Sequence, residues 1–169
     1  MSIPQQGGGP IERREQLAEY IASGEKPRAD WRIGTEHEKF GYCKDKQLPL
    51  PYDGPCSIKA MLEGLQQRFG WDPVFEQDKI IGLQRNGAKV SLEPGGQLEQ
   101  SGAPLETIHQ TCDEVNQHLA EVREIADRIG AGFIGLGAAP IWREDQMPMM
   151  PKGRYALMTP YMRTVGTLG

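Results

Sequence analysis

Four glutamates in two short runs stand out as the chemistry of this chain. Glu36 and Glu38 lie in Trp31-Arg-Ile-Gly-Thr-Glu-His-Glu-Lys-Phe40, and Glu93 and Glu99 lie in Ser91-Leu-Glu-Pro-Gly-Gly-Gln-Leu-Glu99. Side chains alternate along a strand, so Ile33, Thr35, His37 and Lys39 fall on one side of the first run. Glu36 and Glu38 fall on the other, roughly 7 Å apart at the usual rise per residue. Carboxylates so placed repel each other unless water solvates them or a cation stands between them. An all-oxygen donor set suits a hard divalent ion, Mg²⁺ or Mn²⁺, rather than zinc. Mg²⁺ carrying a nucleotide phosphate is the ligand such a wall fits, which points to a phosphate-handling enzyme or a piece of one. An isolated Glu-x-Glu is more often a solvated outer sheet face than a metal site; with Glu93-Pro-Gly-Gly-Gln-Leu-Glu99 beside it, spacing leaves the two readings near level.

The second run needs a turn to position it. Ile80-Ile-Gly-Leu-Gln84 and Lys89-Val-Ser-Leu-Glu93 flank Arg85-Asn-Gly-Ala88, and Asn-Gly between such runs predicts a hairpin because both residues accept positive φ. Pro94-Gly95-Gly96 then breaks the ladder, since proline lacks a donor and glycine permits a sharp bend. Gln97, Glu99 and Ser101 resume on a common face, so Glu93 and Glu99 are expected to meet across a bent strand.

The remaining elements follow from periodicity. Residues 11–23 read as a helix with Leu17, Tyr20 and Ile21 as its stripe and Gly24 as its stop. A strand over 31–42 and a proline-rich loop over 44–55 follow. A second helix starts near Ser57, with Ile58, Met61, Leu62, Leu65 and Phe69 at helical spacing and Gly70 as its end. The longest helix is predicted over 104–129, from Pro104 to Ile129, with Leu105, Ile108, Cys112, Val115, Leu119, Val122, Ala126 and Ile129 as its core stripe. Gly132 to Ala138 reads as a buried strand. Helices over a sheet with an antiparallel hairpin define an α+β class.

Composition narrows the function classes. The 169 residues are 38% hydrophobic and 25% charged, with 19 basic and 23 acidic side chains giving a net charge of -4. Such a balance argues against nucleic-acid and anionic-membrane partners. No apolar run approaches the ~20 residues of a membrane helix. Cys43, Cys56 and Cys112 form an odd set without a Cys-x-x-Cys pair, which suits a reducing compartment. Residues 1–10 lack the cationic and apolar parts of a secretion signal and read as a loose lead-in. A cytoplasmic protein is expected.

Several residues invite misreading. His109 and His118 are nine positions apart on the long helix, point in nearly opposite directions and cannot share a metal. His37 lies off the acidic face and reads as a packed or hydrogen-bonded histidine. Cys112 belongs to the apolar stripe and reads as core, while nothing near Cys43 or Cys56 marks either as a nucleophile. Gly132 to Pro140 does not complete a dinucleotide fingerprint, and no Gly-Lys-Ser/Thr phosphate loop occurs. Lys152, Arg154 and Tyr155 follow a proline-stiffened loop, where an arginine can grip a carboxylate or phosphate with two parallel hydrogen bonds. A solvated surface loop explains the same spacing.

Four segments go further than spacing. Arg32-Ile-Gly-Thr-Glu-His-Glu-Lys-Phe-Gly41, Ser91-Leu-Glu-Pro-Gly-Gly-Gln-Leu-Glu99, Ser101-Gly-Ala-Pro-Leu-Glu-Thr-Ile-His-Gln-Thr-Cys112 and Met150-Pro-Lys-Gly-Arg-Tyr155 occur in this order. Together they closely resemble the glutamate–cysteine ligases of the plant and proteobacterial type, over nearly everything from about residue 11 onward. The resemblance implies a glutamine-synthetase-like curved antiparallel sheet whose concave face holds Mg²⁺ (or Mn²⁺), ATP and glutamate. It implies ligation of the glutamate γ-carboxylate to cysteine through an acyl phosphate, the first step of glutathione synthesis. Glu36, Glu38, Glu93 and Glu99 match the family's metal-binding carboxylates; Arg154, with Lys152 and Tyr155, matches its substrate pocket. No catalytic acid or base is assigned.

Length is the departure. Family members are usually well over twice as long, so residues 11–169 are expected to be the N-terminal part of the catalytic domain. The partner expected is the remainder of the same enzyme, without which the sheet stays incomplete and the chain alone is inactive. A related ligase with another amine acceptor, or a non-catalytic metal- or partner-binding remnant, fits the same residues.

Overall fold

The computed structural model describes residues 9–139 and 141–165; most of the expected lead-in (residues 1–8) and the last four residues lie outside these. Among the described residues the elements run α1 (Glu15–Ala22), β1 (Glu36–Cys43), α2 (Ile58–Phe69), β2 (Asp72–Glu76), β3 (Lys79–Arg85), β4 (Ala88–Leu92), β5 (Leu98–Ser101), α3 (Ile108–Ile129), β6 (Ala131–Ile134) and α4 (Gly153–Met162). The six strands form one sheet in the order β2-β3-β4-β5-β1-β6, every pair antiparallel and the ends not joined into a barrel. The α+β expectation is met.

Local chemistry sets the turns. Asn86 and Gly87 take φ of 50° and 85°, the conformation of a two-residue hairpin turn between β3 and β4. Pro94-Gly95-Gly96 does more than bend a strand: it reverses the chain. Gly96 N–H donates to the Glu93 carbonyl at 2.9 Å and Glu93 N–H to the Gln97 carbonyl at 3.0 Å, with Gly96 at φ 82°. A Cβ at Gly96 would stand 3.1 Å from Met150 Cε, so this loop is glycine for space as well as for φ. Glu93, one residue past the end of β4, and Glu99 of β5 thus stand on the two arms of a tight hairpin.

Two helices cover one face of the sheet. α2 starts where the Ser57 hydroxyl accepts the Ala60 N–H and stops at left-handed Gly70. α3 starts at a reciprocal Thr107–Gln110 capping box and stops at Gly130. Ile58, Met61, Leu62 and Leu65 of α2 join Val122, Ile125 and Ala126 of α3 over Leu83, Val90, Leu92 and Leu98 of the sheet. The helices approach so closely at Gly64 that an added Cβ would lie 2.5 Å from Ile125 Cγ2.

Four expectations need correction. The long helix begins at Ile108, because Leu105 instead exchanges backbone hydrogen bonds with Ile33 at 2.7 and 2.9 Å. Its inward side carries Thr111, His118, Glu121, Val122, Ile125 and Ala126, whereas Ile108 and Cys112 are exposed. The sheet under the N-terminal part of α3 presents Lys39 and Gln100, so polar residues turn toward it there and Ile108 and Cys112 rotate outward. α1 forms, but Leu17, Tyr20 and Ile21 stay exposed, and none of its residues is buried. The predicted buried strand at 132–138 is the short β6, with Ile134 and Leu136 exposed.

Candidate active site

The acidic residues collect on the sheet face that α2 and α3 leave open. Ser91 of β4 is opposite Glu99 of β5, and Glu99 is opposite Glu38 of β1. Residues directly opposite in antiparallel strands share a face, so Ser91, Glu99 and Glu38 form one row. Lys89, Ser101 and Glu36 form the next. Phe40, two residues beyond Glu38, packs edge-on against Trp142 with ring centroids 6.0 Å apart and borders this face. His37 and Lys39 point to the opposite side, as alternation requires: the Lys39 ammonium contacts His37 Nδ1 at 3.3 Å and donates to the His37 carbonyl at 3.1 Å.

Glu99 is the anchored member of the quartet. It is buried, and it accepts hydrogen bonds from Ser91 Oγ at 3.1 Å and Ser101 Oγ at 2.8 Å. Burial opposes its ionisation, yet the Ser101 and Ser91 hydroxyls and the Glu93 carboxyl together hold its pKa below the ordinary carboxylate value. Glu93 moves the other way. Burial raises it first, then its hydrogen bond to Glu99 and the repulsion between the two, against the pull of Lys152 and Arg154. The two carboxyls therefore titrate as a coupled pair, with protonation favoured on Glu93 over Glu99. Ser91 and Ser101 were missed as site residues; their signal is their position two residues from Glu93 and Glu99.

The segment 150–155 clasps the β4–β5 loop from outside. Met150 N–H donates to the Pro94 carbonyl at 3.1 Å, and Lys152 Nζ and Tyr155 Oη donate to the Leu92 carbonyl at 2.6 and 2.8 Å. Burial lowers the Lys152 pKa to about 8, with Arg154 adding to the effect and Glu93, Glu99 and Glu76 opposing it. Lys152 and Tyr155 are thus buried against backbone, while Arg154 reaches the acids. Its guanidinium lies 4.0 Å from Glu93 and donates to Tyr155 Oη at 3.2 Å. That hydroxyl, before Glu93 and Glu99, raises the Arg154 pKa further and keeps it cationic.

The donor set fits a hard cation in type. Glu93, Glu99 and Glu38 offer carboxylate oxygens on one face, and Gln97 between them leaves its amide oxygen buried with no hydrogen-bond partner among the described residues. No three or more His, Cys, Asp or Glu side chains are already gathered as a cage among the described residues, and Glu36 and Glu38 are exposed.

An open antiparallel sheet with an acid row, a buried serine-anchored glutamate and an adjacent arginine defines a class of anion- and cation-handling sites rather than one protein. Comparison with known proteins narrows it. The family model for glutamate–cysteine ligase family 2 (GCS2) matches residues 32–169, and the chain belongs to that family. Over 156 residues, 92% of the chain, it is 54% identical to the chloroplastic glutamate–cysteine ligase of Arabidopsis thaliana, covering 29% of that protein. It is 53% identical over the same length to the chloroplastic enzyme of Brassica juncea, and 51% to glutamate–cysteine ligase A, chloroplastic, of Oryza sativa subsp. japonica. The chain spans 31% of the rice protein and 30% of the Brassica one.

The expectation of a cytoplasmic protein is overturned here, since these relatives are all named chloroplastic and point to the plastid. The physical reason is plain. Charge and cysteine usage report solubility and redox conditions, whereas an organellar address is read from a leader segment.

Proposed function

We propose that this chain supplies the nucleotide- and glutamate-handling part of a ligase that joins the glutamate γ-carboxylate to the amine of cysteine at the expense of ATP. One observation carries the reading: Glu38, Glu99 and Ser91 share a row on the open face with Glu93 hydrogen-bonded to Glu99, in a chain of this family. Glu36, Glu38, Glu93 and Glu99 are the residues that would hold Mg²⁺, or Mn²⁺ in its place. A bound divalent ion would screen the repulsion between triphosphate and carboxylate during phosphoryl transfer.

The chemistry explains why such a face is needed. A carboxylate resists an amine until one of its oxygens becomes a leaving group. Transfer of the ATP γ-phosphoryl to the glutamate side chain gives an acyl phosphate and ADP, and the cysteine amine then displaces phosphate to form γ-glutamylcysteine. The protein's own groups position the anions. Ser91 and Ser101 fix the Glu99 carboxylate and keep it ionised. Arg154, cationic and beside Glu93, grips a phosphate or carboxylate in a two-pronged bond. Lys152 and Tyr155 complete that pocket by holding segment 150–155 on the Leu92 carbonyl, so that Arg154 stays aimed at the acids.

The test is a set of single Glu→Gln changes at positions 36, 38, 93 and 99 in the full-length enzyme. Each is expected to lower turnover about a hundredfold or more and to raise the Mg²⁺ concentration needed for half-maximal rate. Near-normal rates and an unchanged Mg²⁺ requirement in all four defeat the assignment.

A further inference from the structure

Cys43 closes β1, and Cys56 stands immediately ahead of Ser57, the cap of α2. The two are 13 positions apart in sequence, yet their Sγ atoms are 2.7 Å apart. Cys43 Sγ also lies 3.6 Å from the Cys56 carbonyl. Backbone on both sides fixes this approach. Cys43 N–H donates to the Leu48 carbonyl at 2.9 Å, Leu50 N–H to Gly41 at 3.0 Å, and Ile58 N–H to Pro51 at 2.9 Å. The juxtaposition is therefore built into the loop between β1 and α2.

The pair has no role in the chemistry proposed above. Both thiols are half-buried, whereas Cys112 is exposed on α3. Among the described residues no third His, Cys, Asp or Glu joins them as a metal ligand. Two apposed thiols without a metal have one characteristic reaction, oxidation to a disulfide.

We propose that Cys43 and Cys56 form a modification site, a dithiol that a low-molecular-weight disulfide converts to an intrachain disulfide, tying the end of β1 to the start of α2. Cys43 thiolate attacks one sulfur of the small disulfide, forming a mixed disulfide and expelling one small thiolate with the bonding electrons. Cys56 loses its proton to that thiolate or to solvent and attacks Cys43 Sγ, expelling the second small thiolate. The balance is two protein thiols and one small disulfide going to one protein disulfide and two small thiols. Burial and then Cys43 push the Cys56 thiol up to about 12, so Cys56 is written as the second, resolving thiol.

The crosslink closes the loop between the two cysteines and restricts the unfolded chain. It also fastens the strand whose other end bears Glu36 and Glu38. Sequence spacing could not show this pair, because it is made by the return of the loop onto β1.

The full chain is reduced, freed of reductant, incubated with excess 2-hydroxyethyl disulfide, blocked with an alkylating agent and digested without reduction for mass spectrometry. The expected product is a peptide pair linked through Cys43 and Cys56 with the loss of two hydrogens, Cys112 remaining outside it. The oxidised protein is expected to melt roughly 5 °C or more above the reduced one. Cys56→Ser and Cys43→Ser abolish that difference. Recovery of Cys43 and Cys56 as separately alkylated thiols or separate mixed disulfides, or linkage of either to Cys112, overturns the proposal. The peptide map of the unaltered protein decides this even where a serine variant fails to fold.

Discussion

Glu38 and Lys39 are neighbours on β1, yet the two faces of the sheet treat their charges in opposite ways. On the open face, acids are kept together: Glu99 is held ionised by Ser91, Ser101 and Glu93, and Arg154 stands beside Glu93. On the covered face, burial disfavours positive charge. Burial lowers the Lys39 pKa to about 8. His118 falls to about 3, through burial first and then Lys39, His37 and Arg85. Glu121 pairs there with Arg85 at 2.8 Å and accepts the Trp71 Nε1–H at 2.8 Å. One face thus gathers hydroxyls and an arginine around its acids, while on the other burial disfavours positive charge at Lys39 and His118. A binding surface and a core can be told apart by that difference even where both contain ionisable residues.

The comparison breaks first at the core. Leu62, fully buried in α2, should cost about 2–5 kcal/mol as Leu62→Ala in urea unfolding, the usual range for a core leucine. A much smaller loss would mean that the helix layer is not what holds the sheet. The next effect is pH-dependent. His118 is neutral in the fold and is faced by Lys39 and His37 from β1 and Arg85 from β3. Glu114 and Gln117 of its own helix line the same cavity of about 110 Å³. Between pH 6.5 and about 3 the unfolded chain binds a proton that the folded one refuses. Stability is therefore full above 6.5 and declines as pH falls through that window, by roughly a few kcal/mol. His118→Leu should flatten this part of the unfolding profile; an unchanged slope would remove His118 from the account.

The open face should respond more mildly in stability. Ser101→Ala removes the 2.8 Å hydrogen bond to Glu99 and should cost about 1 kcal/mol by thermal or chemical denaturation. Glu36→Gln, on an exposed side chain, should stay within about 0.5 kcal/mol of the parent. A large loss at Glu36 would show it to be structural and would erase the distinction between the faces.

What was legible in the sequence was local. Asn86-Gly87, Ser57 and Gly70 each act within a few residues, and each sits where its backbone chemistry demands. The acid row was legible too, because strand alternation places Glu36 and Glu38 on one side whatever lies beneath. The long helix failed partly because its stripe was read as though the facing surface were uniformly apolar. Thr111, His118 and Glu121 turn inward to a sheet underside bearing Lys39 and Gln100, a fact of the tertiary fold. β2 escaped notice because Asp72-Pro73 reads as a breaker, whereas an edge strand tolerates proline where a central one does not. Lys152 and Tyr155 were seen as pocket residues, but their grip on the Leu92 carbonyl depends on contacts some 60 residues apart in sequence.

The open acidic face is the claim on which the rest turns, and crystals of the full-length enzyme soaked in Mn²⁺ with an ATP analogue test it most directly. Anomalous difference peaks bounded by Glu38, Glu93 and Glu99, with the Glu93 and Glu99 carboxyls turned toward the metal, are the predicted result. Manganese density elsewhere, with Glu93 still hydrogen-bonded to Glu99 and Glu36 and Glu38 surrounded only by water, would contradict it.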